Sequence, residues 1–303
     1  MLLAVSTEDQ PKRDRRWTVG ELLAWTRERF ESAGIESPRV DAEHLLAHAL
    51  GCTRMELYMQ HDRLLAPEDR GDFREFVKRR LAREPVAYIE GTRGFHALDL
   101  DLAVDGRVLI PRPDTEHLVD WVLEDWPPPP APILPIIDVG TGSGAIALAI
   151  KKARPEADVH ACDRSPDALE VAKANAERNA LAVHFHESDL LEGVETPAGG
   201  WHVVAANLPY IPSADIDGLA PEVARYEPRA ALDGGVDGLD LVRRLIAQCA
   251  PGCGRLSRRG GLYLEIGIHQ AEQTARLLLE AGFAQADVRA DYGGVGRVVR
   301  GFV

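Results

Sequence analysis

Residues 136–150, IIDVGTGSGAIALAI, carry three local signals in one order. An apolar run ends in Asp138, a glycine-rich turn follows, and a helix of small apolar residues begins at once. Gly140, Gly142 and Gly144 remove three β-carbons from a single bend. The backbone there can approach a ligand closely and turn amide N–H groups of a helix N-terminus towards it. Asp138, Gly140, Thr141, Gly142, Ser143 and Gly144 are therefore candidate cofactor-binding residues, and the strand–turn–helix order points to a nucleotide-type cofactor. An ordinary βα turn also favours glycine. Gly140-x-Gly142-x-x-Ala145 satisfies the dinucleotide fingerprint in its Gly/Ala form, so NAD and S-adenosylmethionine both fit.

Downstream, strand and helix patterns alternate, which predicts a parallel sheet with helices on both faces. Residues 159–163 read as the second strand, with Asp163 at its carboxyl end. A carboxylate there can accept both hydroxyls of an adenosine ribose, in NAD and S-adenosylmethionine alike. A helix cap is the plainer role for Asp163, and Ser165 suits that better. After a helix over 168–179 and a strand over 183–186, Asp189 can accept an adenine amino group while Leu190 packs on the ring. A turn aspartate is the competing reading.

The fourth strand, 201–206, runs straight into Asn207-Leu208-Pro209-Tyr210. Ligands of open α/β sheets bind beyond the carboxyl ends of the strands, which puts this tetrapeptide at the cofactor pocket. Its chemistry suits a planar NH₂ group: Asn207 Oδ1 and the Leu208 carbonyl can accept two hydrogens. Pro209 holds Leu208 extended, and Tyr210 can pack face-on against a base or an amide. Hydride transfer has no use for such an acceptor set, so the balance moves to methyl transfer. A turn built from turn-favouring residues is the plainer alternative.

Upstream, residues 1–16 are polar, mixed in charge and aperiodic, and read as a disordered extension. Residues 17–84 read as a small helical bundle, opened by a Thr18/Glu21 capping box and punctuated by Gly34, Ser37-Pro38 and Gly51. His44, His48 and His61 there show no metal-ligand pattern with an acidic partner, and packing is their expected role. Residues 85–116 read as a β-hairpin linker, with Leu98, Leu100, Leu102 and Val104 alternating towards a turn at Asp105-Gly106. The hairpin delivers the chain to 108–116, VLIPRPDTE, where Pro111 and Pro113 stiffen the backbone around Arg112 and Asp114 or Thr115 can cap a helix. Residues 117–303 then form the cofactor domain, with a polyproline loop at 126–132 before the strand at 133–139.

Composition bounds the rest. The chain has 303 residues, 45% hydrophobic and 27% charged, as expected of an ordinary globular protein of two domains. A net charge of −13 is the wrong sign for gripping a nucleic-acid backbone. Cys52, Cys162, Cys249 and Cys253 form neither a CxxC pair nor a zinc spacing, which fits a reduced, cytoplasmic setting. Neither a secretion signal nor a run of membrane-spanning length is expected.

GTGSGAIAL at 140–148, NLPY at 207–210 and VLIPRPDTE at 108–116 together resemble the peptide chain release factor glutamine methyltransferases. EPRAALDGGVDGLDLVRRLI at 227–246 and GRVVRGF at 296–302 resemble the same family. NLPY by itself is shared in kind with N6-adenine methyltransferases of DNA and ribosomal RNA, which form the alternative; RPDTE with the N-terminal helices makes the likeness specific. The resemblance implies a Rossmann-like methyltransferase sheet flanked by helices, beside a small N-terminal helical substrate-recognition domain. It also implies methyl transfer from S-adenosylmethionine to the glutamine amide nitrogen in the Gly-Gly-Gln motif of class 1 release factors. Asn207, Leu208, Pro209 and Tyr210 would then be the catalytic and substrate-holding residues, Asn207 also meeting the cofactor, with Arg112 and Glu116 at the entrance or on the substrate backbone. The enzyme is expected to be a cytoplasmic monomer without a metal, stable nucleic acid or membrane. The chain departs from the family at Leu208, where proline is usual, and at 293–297, GGVGR, where Gly-Arg-Asp-Arg is more frequent.

Overall fold

A computed structural model of the protein describes residues 16–96, 98–126, 134–291 and 293–303. The extension up to residue 15 and the polyproline stretch from residue 127 to 133 lie outside the described residues. The chain divides into two compact units, one ending at Glu90 and the other running from Gly91 to Val303.

The first unit is helical. β1 (Trp17–Thr18) precedes α1 (Val19–Ser32), α2 (Pro38–Leu50) and α3 (Arg54–Met59). β2 (Leu64–Leu65), which pairs with β1, then leads to α4 (Gly71–Leu81) and α5 (Val86–Glu90). The capping box at α1 forms as expected: Glu21 N donates to Thr18 Oγ1 and Thr18 N to Glu21 Oε2. Thr53 and Glu56 repeat the device at α3, and Gly51 ends α2 with a left-handed φ of 61°. Phe30, Leu45, Leu46, Leu57 and Phe73 fill the core, and His48 packs on the Phe76 ring. Helix continues beyond residue 84, because 86–90 closes as α5 instead of opening the hairpin.

The second unit opens with an antiparallel hairpin, β3 (Thr92–Phe95) and β4 (Leu100–Ala103). Its turn lies between Phe95 and Leu100, so the expected turn at Asp105-Gly106 is corrected. His96 and Asp99 adopt left-handed φ values of 63° and 55° there, and Asp99 N donates to the His96 carbonyl. Asp105 makes a separate turn beyond the hairpin, its Oδ1 accepting from Arg107 N and Nε.

The sheet follows through α6 (Asp114–Asp125), β5 (Pro135–Val139), α7 (Ala145–Ala153), β6 (Asp158–Asp163), α8 (Pro166–Arg178), β7 (His184–Glu187) and β8 (Trp201–Asn207). It continues with α9 (Pro221–Tyr226), α10 (Asp240–Cys249), β9 (Leu256–Glu265), α11 (Ala271–Glu280), β10 (Gln285–Ala290) and β11 (Gly296–Phe302). Among the described residues seven strands form one sheet in the order β10-β11-β9-β8-β5-β6-β7. The expected parallel ladder holds from β7 to β9, whereas β11 runs antiparallel to both its neighbours, β9 and β10. The link from Ala290 to Gly296 is too short for a crossover, so β11 can only return alongside β10.

Side chains alternate across the sheet. Ile136, Val159 and Val203 face α6 and α7, while Ile137, Val204 and Leu262 face α10 and α11. The connection order reverses at β5, which lies between β6 and β8, and that places a cleft at the carboxyl ends of these three strands. Among the described residues no helix is long and apolar enough to cross a membrane.

Candidate active site

The glycine loop joins β5 to α7 through left-handed φ values of 74° at Gly140, 54° at Gly142 and 88° at Gly144. A β-carbon on Gly140 would stand 3.0 Å from Leu208 Cδ2, so the loop must stay bare there for the tetrapeptide to pack against it. Three loop amides are engaged within the protein: Gly140 N and Thr141 N donate to the Cys162 carbonyl, and Gly142 N to Asp163 Oδ2. These amides therefore lash the loop to β6, which corrects the expectation that they face the ligand. Gly140, Thr141, Gly142 and Ser143 line the cleft, whereas Gly144 sits behind it as the N-cap of α7.

Asp138 is corrected likewise. It is wholly buried, does not line the cleft, and its Oδ2 accepts from Thr141 Oγ1 at 2.6 Å and Ala147 N at 3.2 Å. A strand carboxylate thus caps the first turn of α7 from below, where Gly144 offers no side chain. Burial pushes its pKa up to about 7 against the pull of these two donors, with Asp163 adding to the rise.

Asp163 lies on the cleft wall, its Oδ2 accepting from Gly142 N and its Oδ1 from Ser165 N, both at 2.9 Å. A carboxylate has about four acceptor positions, so each oxygen keeps one for a ligand. Asp189 and Leu190 line the cleft beyond β7. Leu190 holds a left-handed φ of 53°, and Asp189 Oδ2 accepts from Arg244 at 2.7 Å.

At the end of β8, Asn207 Nδ2 donates to Thr115 Oγ1 at 3.1 Å. The Thr115 side chain also stands against the buried carboxyl of Glu265, the register partner of Asn207 on β9, and favours its charged form. With Asn207 Nδ2 turned to Thr115, Asn207 Oδ1 is left as the acceptor at the cleft. Glu265 is 2% exposed, and its Oε2 has no hydrogen-bond partner among the described residues. Burial, opposed by the neighbouring Thr115 hydroxyl, raises its pKa to about 7.

Leu208 and Pro209 also line the cleft. Tyr210 stands outside the lining; its carbonyl accepts from Gln270 Nε2 at 3.0 Å, and burial lifts its hydroxyl to about 12. Arg112 lines the cleft and donates to the buried Glu227 at 2.5 Å, while Glu227 also accepts from Ile110 N. This pair ties the 108–116 strap to the segment after α9. Glu116 is elsewhere: its Oε1 accepts from His96 N, so it braces the hairpin turn instead of the entrance. Thr115 does not cap α6, where Pro113 is the N-cap without a side-chain bond. Thr115, Glu227 and Glu265 are the functional neighbours that sequence reasoning missed; no spacing links residues so far apart to Asn207 or Arg112.

The comparisons agree with this geometry. A family model described as PrmC N-terminal domain matches residues 21–91, and one described as Methyltransferase small domain matches residues 130–217. A 16S rRNA methyltransferase from T. thermophilus shares the fold, with a TM-score of 0.50 and 15% identity over 70% of this chain and 49% of that one. The release factor glutamine methyltransferase of Geobacter sulfurreducens is 42% identical over 287 residues, 94% of this chain and 96% of its own. Its counterpart in Rhodopirellula baltica is 44% identical over 262 residues, 84% and 85% of the two chains. The likeness runs through both compact units and through the loop, the strap and the tetrapeptide, and this chain belongs to the release factor glutamine methyltransferase family.

Proposed function

We propose that the cleft binds S-adenosylmethionine and that the protein methylates the side-chain amide nitrogen of the Gly-Gly-Gln glutamine in class 1 release factors. The acceptor Asn207 Oδ1, left to the cleft because Asn207 Nδ2 is held by Thr115, is the observation that carries this reading. The residues fit the cofactor: the loop is bare at Gly140, and Asp163 keeps two acceptor positions for a ribose diol. Gly140, Thr141, Gly142 and Ser143 would hold the methionine end, Asp163 the ribose, and Asp189 with Leu190 the adenine. Arg244 already engages Asp189, which holds that carboxylate on the cleft wall. Bound there, S-adenosylmethionine supplies an electrophilic methyl group.

An amide nitrogen is a poor nucleophile because its lone pair is delocalised into the carbonyl. Asn207 Oδ1 and the Leu208 carbonyl accept its two N–H bonds, turn its lone pair towards the methyl group and stabilise the positive charge that grows on nitrogen. The nitrogen becomes strongly acidic only as its new bond forms, so no strong general base is needed. Pro209 keeps the Leu208 carbonyl aimed, and the Arg112–Glu227 pair fixes the wall opposite. The helical unit supplies the grip on the release factor away from its glutamine. The net charge of −13 opposes a nucleic-acid substrate, and the enzyme acts as a cytoplasmic monomer.

The test is incubation with methyl-labelled S-adenosylmethionine and, separately, a release factor, a DNA duplex and ribosomal RNA. Label is expected on the release factor, and its loss when that glutamine is changed locates the acceptor. Label on nucleic acid alone would overturn the proposal.

A further inference from the structure

At the opposite end of the sheet from the cleft, the β6–β7 edge carries a cluster that methyl transfer does not use. Asp158 and His160 lie two residues apart on one face of β6, and His184 is the register partner of His160 on β7. Nε2 of His160 stands 3.2 Å from Asp158 Oδ1, and Nε2 of His184 stands 3.7 Å from the same oxygen. One ligand atom from each of the three residues lies within 4.8 Å of the others. A tetrahedral zinc ion with bonds of about 2.0–2.1 Å separates its ligand atoms by roughly 3.3–3.5 Å. The two carboxylate–imidazole separations bracket that value before any adjustment.

The surroundings favour ligation. The side chains of His184 and Asp158 are 68% and 41% exposed, so an ion can enter and keep a solvent ligand, while His160 is 18% exposed and fixed in place. His160 Nδ1 lies 2.9 Å from His186 Nε2, a hydrogen bond that sets the ring orientation, as the outer partner of a metal-bound histidine does. Trp201 packs edge-on against His160 from the other side.

We propose that Asp158, His160 and His184 form a surface site for a divalent transition-metal ion, zinc in the first instance, which staples edge strand β7 to β6. Two imidazoles and a carboxylate select zinc over the hard cations magnesium and calcium. Asp158 opens β6 and Asp163 closes it, so the ion sits about 16 Å from the cleft and acts on stability.

The experiment uses the untagged full chain, stripped with a chelator and titrated with zinc sulfate by calorimetry. The expected result is one equivalent bound with a Kd in the low micromolar range or tighter, and a melting temperature raised by roughly 5 °C in a hundredfold excess over Kd. His184→Ala, at the most exposed ligand, should fold normally, bind at least tenfold more weakly and lose the thermal shift. Asp158→Asn should weaken binding in the same direction, and Cys253→Ser, which removes the exposed thiol, should leave it unchanged. Methyl transfer should vary by less than twofold with and without zinc. The same side chains can instead form a plain hydrogen-bonded chain from Asp158 through His160 to His186. No binding at 100-fold molar excess of zinc, or binding indifferent to both His184→Ala and Asp158→Asn, would establish that chain and overturn the metal site.

Discussion

The two walls of the cleft are built on different principles. The glycine loop is local: three left-handed glycines and Thr141 lie within five positions, and Asp138 just before them and Asp163 on the next strand complete it. The acceptor wall is assembled from distance, Asn207 being held by Thr115 on α6 with the buried Glu265 of β9 beside them. The proposed cofactor side is thus a conformational device, dependent on missing β-carbons and on amides that tie one strand end to the next. The proposed substrate side depends on hydrogen-bond direction, since Asn207 must present oxygen and not nitrogen. The first should fail on added bulk in the loop or on loss of the Asp163 anchor; the second should fail on any change of hydrogen-bond direction.

Asn207→Ala cuts that comparison most sharply. It removes one of the two proposed acceptors for the glutamine NH₂, and kcat should fall about 10³-fold, the scale for losing a donor or acceptor aimed at developing charge. Cofactor affinity, measured by calorimetry, should stay within threefold. Equal losses of both would mean that the two walls are one. Asp163→Ala reverses the pattern. Removing the carboxylate that anchors Gly142 N and offers the ribose two acceptors should raise the cofactor Kd by ~10²-fold while kcat at saturation falls far less. An unchanged Kd would remove Asp163 from the cofactor site.

The same contrast explains what is legible in the sequence. The loop can be read because its residues are neighbours in the chain and its glycines answer a backbone demand that other residues meet poorly. The tetrapeptide can be read because Pro209 and Asn207 have few reasons to follow a strand together. Asp138 is recognisable as part of the loop, but whether a strand-end carboxylate faces the ligand or the helix behind it depends on a pleat that the sequence does not number. The hairpin turn is misplaced because the alternation of Leu98, Leu100, Leu102 and Val104 runs on past the true turn at His96–Asp99. Nearness to Arg112 suggests the entrance for Glu116, although helical rotation carries it to His96. Thr115, Glu227, Glu265 and the Asp158–His160–His184 cluster depend on inter-element register, which is fixed only once the sheet has formed.

Thr115→Val tests the Thr115–Asn207 hydrogen bond with little change in volume. Asn207 Nδ2 then has no acceptor, and the amide gains nothing from keeping its oxygen at the cleft. An unmade hydrogen bond of about 1–1.5 kcal/mol corresponds to roughly a tenfold loss in kcat, with cofactor binding unaffected. Thr115→Ser should restore most of it, because the hydroxyl is the part that matters. Failure of serine to rescue would show that packing under α6, and not the hydrogen bond, had been lost.

Glu265→Gln should have the smallest effect on turnover and the most distinctive effect on stability. The substituted side chain keeps its volume beside Thr115, so kcat should fall less than threefold, whereas Glu265→Ala leaves the Thr115 side chain unsupported and should approach the Thr115→Val loss. In the native protein burial lifts the Glu265 carboxyl to about 7, above its unfolded range near 4. The folded state therefore holds a proton that the unfolded state has released, and stability is full below about pH 4 and falls as pH rises through 7. Asp138, lifted to about 7 by its own burial, adds to the same slope. Glu265→Gln removes one of the two contributions, on the order of 3 kcal/mol across that window, and denaturant unfolding from pH 4 to pH 8 should show a visibly flatter decline. Glu265→Gln and Asp138→Asn together should remove most of it, because the two carboxylates share no partner and their effects should add. A slope unchanged in Glu265→Gln would mean that the carboxylate stays ionised in the folded protein, and Thr115 would then stand against a buried charge.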